Sequence, residues 1–199
     1  SFSWQKVLGG EGGHGVVVLS PNAIKRLSTF YPERPMPKIF RLVKNGKLIE
    51  GVYEGETLNT PSMFCVADAL DSLMWIKEIG GLTETIRRSN ENFKCLQGWV
   101  DKTPWIENLV SDPRNRSNTS VCLKFSDERL ISLIPDEKTR FVKDFVALLE
   151  AENAAFDIQG HRNAPPGLRI WCGATINLDD IQKLLPWLEY CFHEIISSY

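Results

Sequence analysis

Lys6 is the residue of this chain whose surroundings point to covalent chemistry. It lies in the run Ser3-Trp4-Gln5-Lys6-Val7-Leu8-Gly9-Gly10-Glu11-Gly12-Gly13-His14-Gly15, ahead of the apolar stretch Val16-Val17-Val18-Leu19. A lysine entering a glycine turn at the edge of a buried sheet is partly desolvated, which favours the neutral amine that attacks a carbonyl. The alternative is a lysine whose stem covers apolar surface while its ammonium stays in water. A second concentration of chemistry is Gly160-His161-Arg162-Asn163-Ala164-Pro165-Pro166-Gly167-Leu168-Arg169. Its two arginines flank a rigid loop, and a guanidinium fork matches carboxylate and phosphate oxygens in a way lysine does not. Read blandly, they are solvated loop charges. Asn59 and Thr60 also have two readings. Ahead of Pro61 they cap a helix, or they add side-chain donors to helical amides and make an anion site.

The string Gly10-x-Gly12-x-x-Gly15 satisfies the dinucleotide fingerprint, but its context does not. That fingerprint needs a helix directly after the glycines to receive the pyrophosphate, whereas a strand-like apolar run follows here. The glycines instead permit a tight turn or a close backbone approach.

These residues need elements to hold them. Phe2 to Gln5 and Gly15 to Leu19 read as short strands, followed by a helix capped by Ser20, opened by Pro21 and running to about Phe30. Ile39 to Val43 and Leu48 to Val52 flank Asn45-Gly46, the pair that best accepts the positive angles of a hairpin turn. Thr60-Pro61 opens a helix whose inward stripe is Met63, Val66, Ala67, Leu70, Leu73 and Met74, ended by Gly80-Gly81. A second helix runs from about Leu82 to Lys102. Strands are expected at Ser120 to Phe125, Phe156 to Gln159 and Leu168 to Trp171, with helices over Asp136 to Ala151 and Leu178 to Ile196. The fold class is α/β. A domain boundary is expected between Gly81 and Asn92, giving domains 1–85 and 86–199.

Composition limits the function. With 199 residues, 43% hydrophobic and 24% charged, the chain has enough apolar content for a packed core. A net charge of −2 provides no basic field for nucleic acid, and no apolar run is long enough to cross a bilayer. The cysteines at 65, 95, 122, 172 and 191 are scattered and odd in number, which indicates neither a disulfide framework nor a zinc site, and no metal is expected. They read as buried cytosolic thiols. The sequon matches at Asn115 and Asn118 carry no further sign of secretion.

The segment around Lys6 resembles the cofactor-lysine segment of the phosphoserine aminotransferases, fold-type-I enzymes that use pyridoxal 5'-phosphate. Glu56-Thr57-Leu58-Asn59-Thr60-Pro61-Ser62-Met63 is similar to the asparagine-threonine loop of that family, and Gly160-His161-Arg162 with Arg169 resembles its substrate-binding segment. The three blocks span most of the chain in the family's order. The resemblance implies the end of the large-domain sheet, in residues 1–85, plus a small C-terminal α/β domain, in 86–199. It implies a Schiff-base lysine at Lys6 that also moves the substrate's α-proton, and cofactor-phosphate contacts from Gln5 and from Asn59 and Thr60, the latter pair across a homodimer interface. It also implies that His161 and Arg162 face the substrate phosphate and Arg169 the α-carboxylate. The spacing from Arg162 to Arg169 is one residue longer, with two prolines, than in the better-known form of the family, which bears most on the His-Arg pair. His14, in the cofactor turn, and His193 are read as structural.

The implied reaction exchanges an amino group between phosphoserine and 2-oxoglutarate in cytoplasmic serine biosynthesis, with glutamate and 3-phosphohydroxypyruvate as the other pair. A serine-glyoxylate aminotransferase would share Lys6 and Arg169, and a non-catalytic α/β binding domain would make Lys6 an ordinary lysine. The chain begins at Ser1 in what reads as mid-strand, with five residues before Lys6, so it is expected to be a C-terminal portion lacking much of the cofactor site. Alone it is expected to be inactive, to hold the cofactor weakly or not at all, and either to self-associate through its sheet edge or to persist only with its missing half.

Overall fold

The computed structural model describes residues 1–12 and 14–199; Gly13 of the glycine turn lies outside the described residues. The chain divides into two units, Ser1–Trp75 and Ile76–Tyr199.

The first unit is built from short elements. Strands β1 (Phe2–Ser3) and β2 (Gly15–Val16) pair antiparallel, with Phe2 opposite Val16 and Ser3 opposite Gly15. They are shorter than the expected strands, because a 3-10 turn over Lys6–Leu8 ends the first and nothing pairs with Val17 or Val18, which are 61% and 73% exposed. Helix α1 (Pro21–Thr29) starts as its sequence requires: the Ser20 hydroxyl accepts from the Ala23 amide at 3.2 Å and proline occupies the first turn. Strands β3 (Val43–Lys44) and β4 (Lys47–Leu48) join through Asn45 and Gly46, whose φ values of 52° and 74° make the expected tight turn. The ladder is only two residues long, since Lys38–Phe40 and Glu50–Tyr53 coil into 3-10 turns.

Helix α2 (Met63–Ile79) corrects two expectations. Its cap is Ser62, whose hydroxyl accepts from the Cys65 amide at 3.3 Å, rather than Thr60, because a serine three residues before that amide reaches it directly. The apolar stripe is also exposed: Met63, Leu70, Leu73 and Met74 are each more than half accessible, and Ala69 is the buried residue of this helix. Gly80 and Gly81, with φ of 116° and 71°, end the helix in the left-handed conformation that glycine accepts without strain.

The second unit holds the core. Helix α3 (Gly81–Val100) is followed by β5 (Ile106–Asn108), β6 (Ser120–Phe125), a one-turn helix α4 (Glu128–Ile131), α5 (Pro135–Ala151), β7 (Leu168–Trp171) and α6 (Leu178–Ile196). The three strands form an antiparallel sheet in the order β5-β6-β7. Neither β5 nor α4 is expected from the sequence, both being too short for a periodic signal. Conversely, Phe156 to Gln159 contributes only a single bridge, Gln159 to Leu168.

Leu96 of α3, Phe141, Phe145 and Leu149 of α5, and Leu188 and Phe192 of α6 are essentially inaccessible, packed with Ile106, Val121, Leu123, Leu168 and Ile170 from the sheet. Trp105 stacks on Phe192 with ring centroids 4.0 Å apart. The Glu189 carboxylate accepts from the indoles of Trp99 and Trp105 at 2.8 and 3.2 Å, so the tryptophans bury their rings without leaving a polar atom unpaired.

Candidate substrate and cofactor site

On β7 the strand period sends Leu168 and Ile170 into the core and leaves Arg169 half-buried on the other side. Gly167 precedes it because a Cβ there would collide with the Leu123 carbonyl of β6. The loop from Gly160 to Gly167 is closed at its base, where the Gly160 amide donates to the Gly167 carbonyl at 2.8 Å. Inside the loop the Ala164 amide donates to the His161 carbonyl at 2.8 Å, and the Asn163 amide donates to His161 Nδ1 at 3.2 Å. Because Nδ1 accepts, the neutral imidazole carries its proton on Nε2, a donor suited to an anionic oxygen.

The structure brings His161, Arg162 and Arg169 together. They line one open hollow of about 440 Å³ with Asp157, Gln159 and Gly160. Two guanidinium groups and an imidazole donor against one carboxylate give the hollow the chemistry to suit a ligand with more than one anionic group. The loop prolines do not carry Arg162 away from Arg169. Asp157 is the member that sequence reasoning missed. Its signal, an acid three residues ahead of Gly160, is weak.

In the first unit, Lys6 is exposed rather than partly desolvated, and its side chain points to chemistry in another way. Its φ is 67°. Left-handed backbone is disfavoured for a residue with a Cβ, and the other described non-glycine residues that adopt it, Asn45, Asn153 and Asp157, have short polar side chains that tolerate it. Such strain collects at functional positions. The turn is closed around Trp4: the Gly10 amide donates to the Trp4 carbonyl at 2.9 Å, the Trp4 amide donates to the His14 carbonyl at 3.3 Å, and the two rings meet edge to face at 5.0 Å. Gly10 and Gly15 are needed there, since a Cβ on either would come within 2.9 Å of a β1-side carbonyl, that of Trp4 or Phe2. Gln5 lies across from Gly12, whose own Cβ would strike the Gln5 amide.

Asn59 and Thr60 stand between two fixed points. The Leu58 carbonyl accepts from Lys38 Nζ at 3.4 Å, and Ser62 caps α2. Both residues are exposed, and among the described residues no hydrogen bond joins them to Gln5 or Lys6. Ser62 has the capping role, and among the described residues the side-chain donors of Asn59 and Thr60 are uncommitted.

An aldehyde cofactor with a phosphate fits what this unit presents. Lys6 offers an accessible amine on strained backbone, Gln5 an adjacent amide, and Asn59 and Thr60 uncommitted donors. His14 Nε2 is enclosed and has no hydrogen-bond partner among the described residues.

Over 194 residues, 96% of its length, the chain is 46% identical to the phosphoserine aminotransferase of Methanosarcina mazei. The chain is homologous to the phosphoserine aminotransferases. The enzyme of that name from Methanosarcina barkeri is likewise 46% identical, over 97% of the chain. The chain spans about half the length of these curated relatives, 49% and 50%. A crystal structure of phosphoserine aminotransferase from Trichomonas vaginalis with bound pyridoxal phosphate superimposes on 69% of the chain with a TM-score of 0.57 at 22% identity, covering 36% of that structure. The fold is thus the mixed α/β fold of the C-terminal portion of these enzymes. No protein-family model matches the chain. Among the described residues no helix is long and apolar enough to cross a membrane, and no cluster of three or more histidine, cysteine or acidic side chains stands ready to hold a metal.

Proposed function

We propose that the protein carrying this sequence transfers an amino group between phosphoserine and 2-oxoglutarate with pyridoxal 5'-phosphate, in the route to serine, as a cytoplasmic homodimer. The observation that carries the reading is identity of 46% along nearly the whole chain to relatives of that name. The hollow that pairs Arg162 and His161 with Arg169 supports it, because phosphoserine presents both a phosphate and an α-carboxylate. Residues 1–85 belong in this reading to the cofactor-binding domain and 86–199 to the small C-terminal domain.

The cofactor, once bound, supplies the electron sink that makes the α-proton acidic. Every other task falls to side chains. Lys6 Nζ would hold the cofactor's aldehyde carbon and, once freed by the substrate amine, would take the substrate's α-proton as general base and give it up again as general acid. Gln5, Asn59 and Thr60 hold the cofactor phosphate, the last two from the partner subunit's side. Arg169 takes the α-carboxylate in a bidentate contact, while His161 Nε2–H and Arg162 take the substrate phosphate.

Borohydride reduction in the presence of the cofactor, followed by peptide mapping, tests the reading. The reduced adduct is expected on Lys6 and absent in Lys6→Ala, together with transamination of phosphoserine. An adduct on Lys25 or Lys38 overturns the assignment of Lys6. Amino transfer from serine to glyoxylate with indifference to phosphoserine overturns the substrate.

A further inference from the structure

The hollow contains a carboxylate that the recognition of an anionic substrate does not require. Asp157 Oδ2 lies 3.6 Å from the Arg169 guanidinium, within the same hollow. The two residues are brought together by the backbone: the Arg169 amide donates to the Ile158 carbonyl at 2.7 Å, and Gln159 bridges Leu168. At Asp157 the chain leaves the extended conformation, with φ of 52°.

We propose that Asp157 is an internal stand-in for substrate, occupying the carboxylate position of Arg169 until an incoming carboxylate displaces it, and so setting how tightly this hollow holds its ligand. The proposal rests on the reading of Arg169 as the receiver of the substrate carboxylate. Two features separate a displaceable occupant from a residue that positions Arg169. The Asp157 side chain is 94% exposed, while that of Arg169 is 35% exposed, so the acid lies over the arginine from the solvent side. Among the described residues the carboxylate has no backbone amide or second side chain fixing it, whereas Asp112 and Asp127, each ion-paired with the arginine two residues on, also accept from a backbone amide. A carboxylate held by one long ion pair in water is bound weakly and can swing aside.

Removing its charge should therefore tighten ligand binding, because the ligand no longer competes with an intramolecular anion and no longer meets a negative neighbour. A positioning role predicts the opposite sign. From the small strength of exposed ion pairs, Asp157→Asn is expected to tighten binding about two- to fivefold. The gain should shrink as added salt screens the charge, and Asp157→Glu should keep most of the wild-type affinity.

The test uses the 199-residue chain, titrated with O-phosphoserine at low ionic strength and followed through the backbone amide resonances of Gly160 and His161. Arg169→Gln controls for the underlying reading. Saturation at a two- to fivefold lower concentration in Asp157→Asn, with binding lost in Arg169→Gln, supports the proposal. Unchanged or weaker binding in Asp157→Asn, with Arg169→Gln still disabled, overturns the proposal and leaves the Arg169 assignment standing. Wild-type binding that Arg169→Gln does not disturb, or no binding at all, overturns both.

Discussion

Lys6 and His14 sit in one turn, and each carries a local energetic cost there. A left-handed lysine costs about 1 to 2 kcal/mol relative to ordinary helical or extended backbone. Asparagine tolerates this conformation better, so Lys6→Asn is expected to slow hydrogen exchange at the Gly9 and Gly10 amides, which donate to the Lys6 and Trp4 carbonyls, while eliminating the borohydride-trapped adduct. Faster exchange there would show that the turn is unstrained. His14 buries Nε2 without a partner among the described residues, and an unpaired buried polar group costs about 1 to 3 kcal/mol. His14→Phe keeps an edge-to-face ring against Trp4 and removes that atom, so it should protect the Trp4 amide from exchange in the free chain and weaken pyridoxal phosphate binding. Loss of protection would mean that the imidazole already has its partner.

At the scale of elements, two glycines with different surroundings should respond oppositely to alanine. Gly167 packs against the Leu123 carbonyl of the central strand, and neither backbone can yield, so Gly167→Ala should push the 160–167 loop off β6 and lower phosphoserine affinity by tenfold or more. Gly98 lies within α3 in open space, with nothing within 4 Å of where an added methyl group would stand, so Gly98→Ala should stabilise the second unit by about 0.5 to 1 kcal/mol in urea unfolding. After α6, Tyr199 packs edge-on to Phe141 and donates to the Asp144 carboxylate at 2.6 Å. Burial first, and then that hydrogen bond and the carboxylate's charge, push its hydroxyl up to about 12 from an ordinary value near 10. The folded state then holds a proton that the unfolded state releases, so the Tyr199 contribution to stability is complete below pH 10 and is lost as pH rises from about 10 through about 12. Tyr199→Phe should flatten the fall of the urea midpoint over that window; an unchanged slope would place the alkaline loss elsewhere.

For the whole molecule, the imbalance between the units is the governing fact. Among the described residues Ala69 is the single buried hydrophobic of Ser1–Trp75, and every other buried hydrophobic belongs to Ile76–Tyr199. Limited proteolysis should therefore cut within residues 1–75 first and leave a resistant product containing α3 to α6, since cleavage follows local opening. The exposed Met63, Phe64, Leu70, Leu73 and Met74 of α2 should make the free chain bind hydrophobic dye and associate with concentration. Uniform cleavage across both units, or a chain that stays monomeric without dye binding, would contradict this.

What could be read without coordinates is what neighbours in sequence decide. The boundaries of β6, β7 and α6 emerge from alternation and helical period over enough residues to be unambiguous, and the Ser20 cap, the Asn45-Gly46 turn and the Gly80-Gly81 stop follow from backbone preferences of single residue types. The chemistry of Arg162 and Arg169 is equally a property of side chains and is legible as such. Burial is not a local property. The same periodicity that correctly identifies α2 places its stripe inward, because a pattern states which face is apolar and not whether anything covers it. The two-residue β1–β2 ladder beside Lys6, the left-handed lysine and the transfer of the α2 cap to Ser62 depend on how the turn closes around Trp4 and where the helix begins. The meeting of Asp157 with Arg169 depends on a backbone pairing between a loop and β7, and that pairing exists only once the sheet has formed.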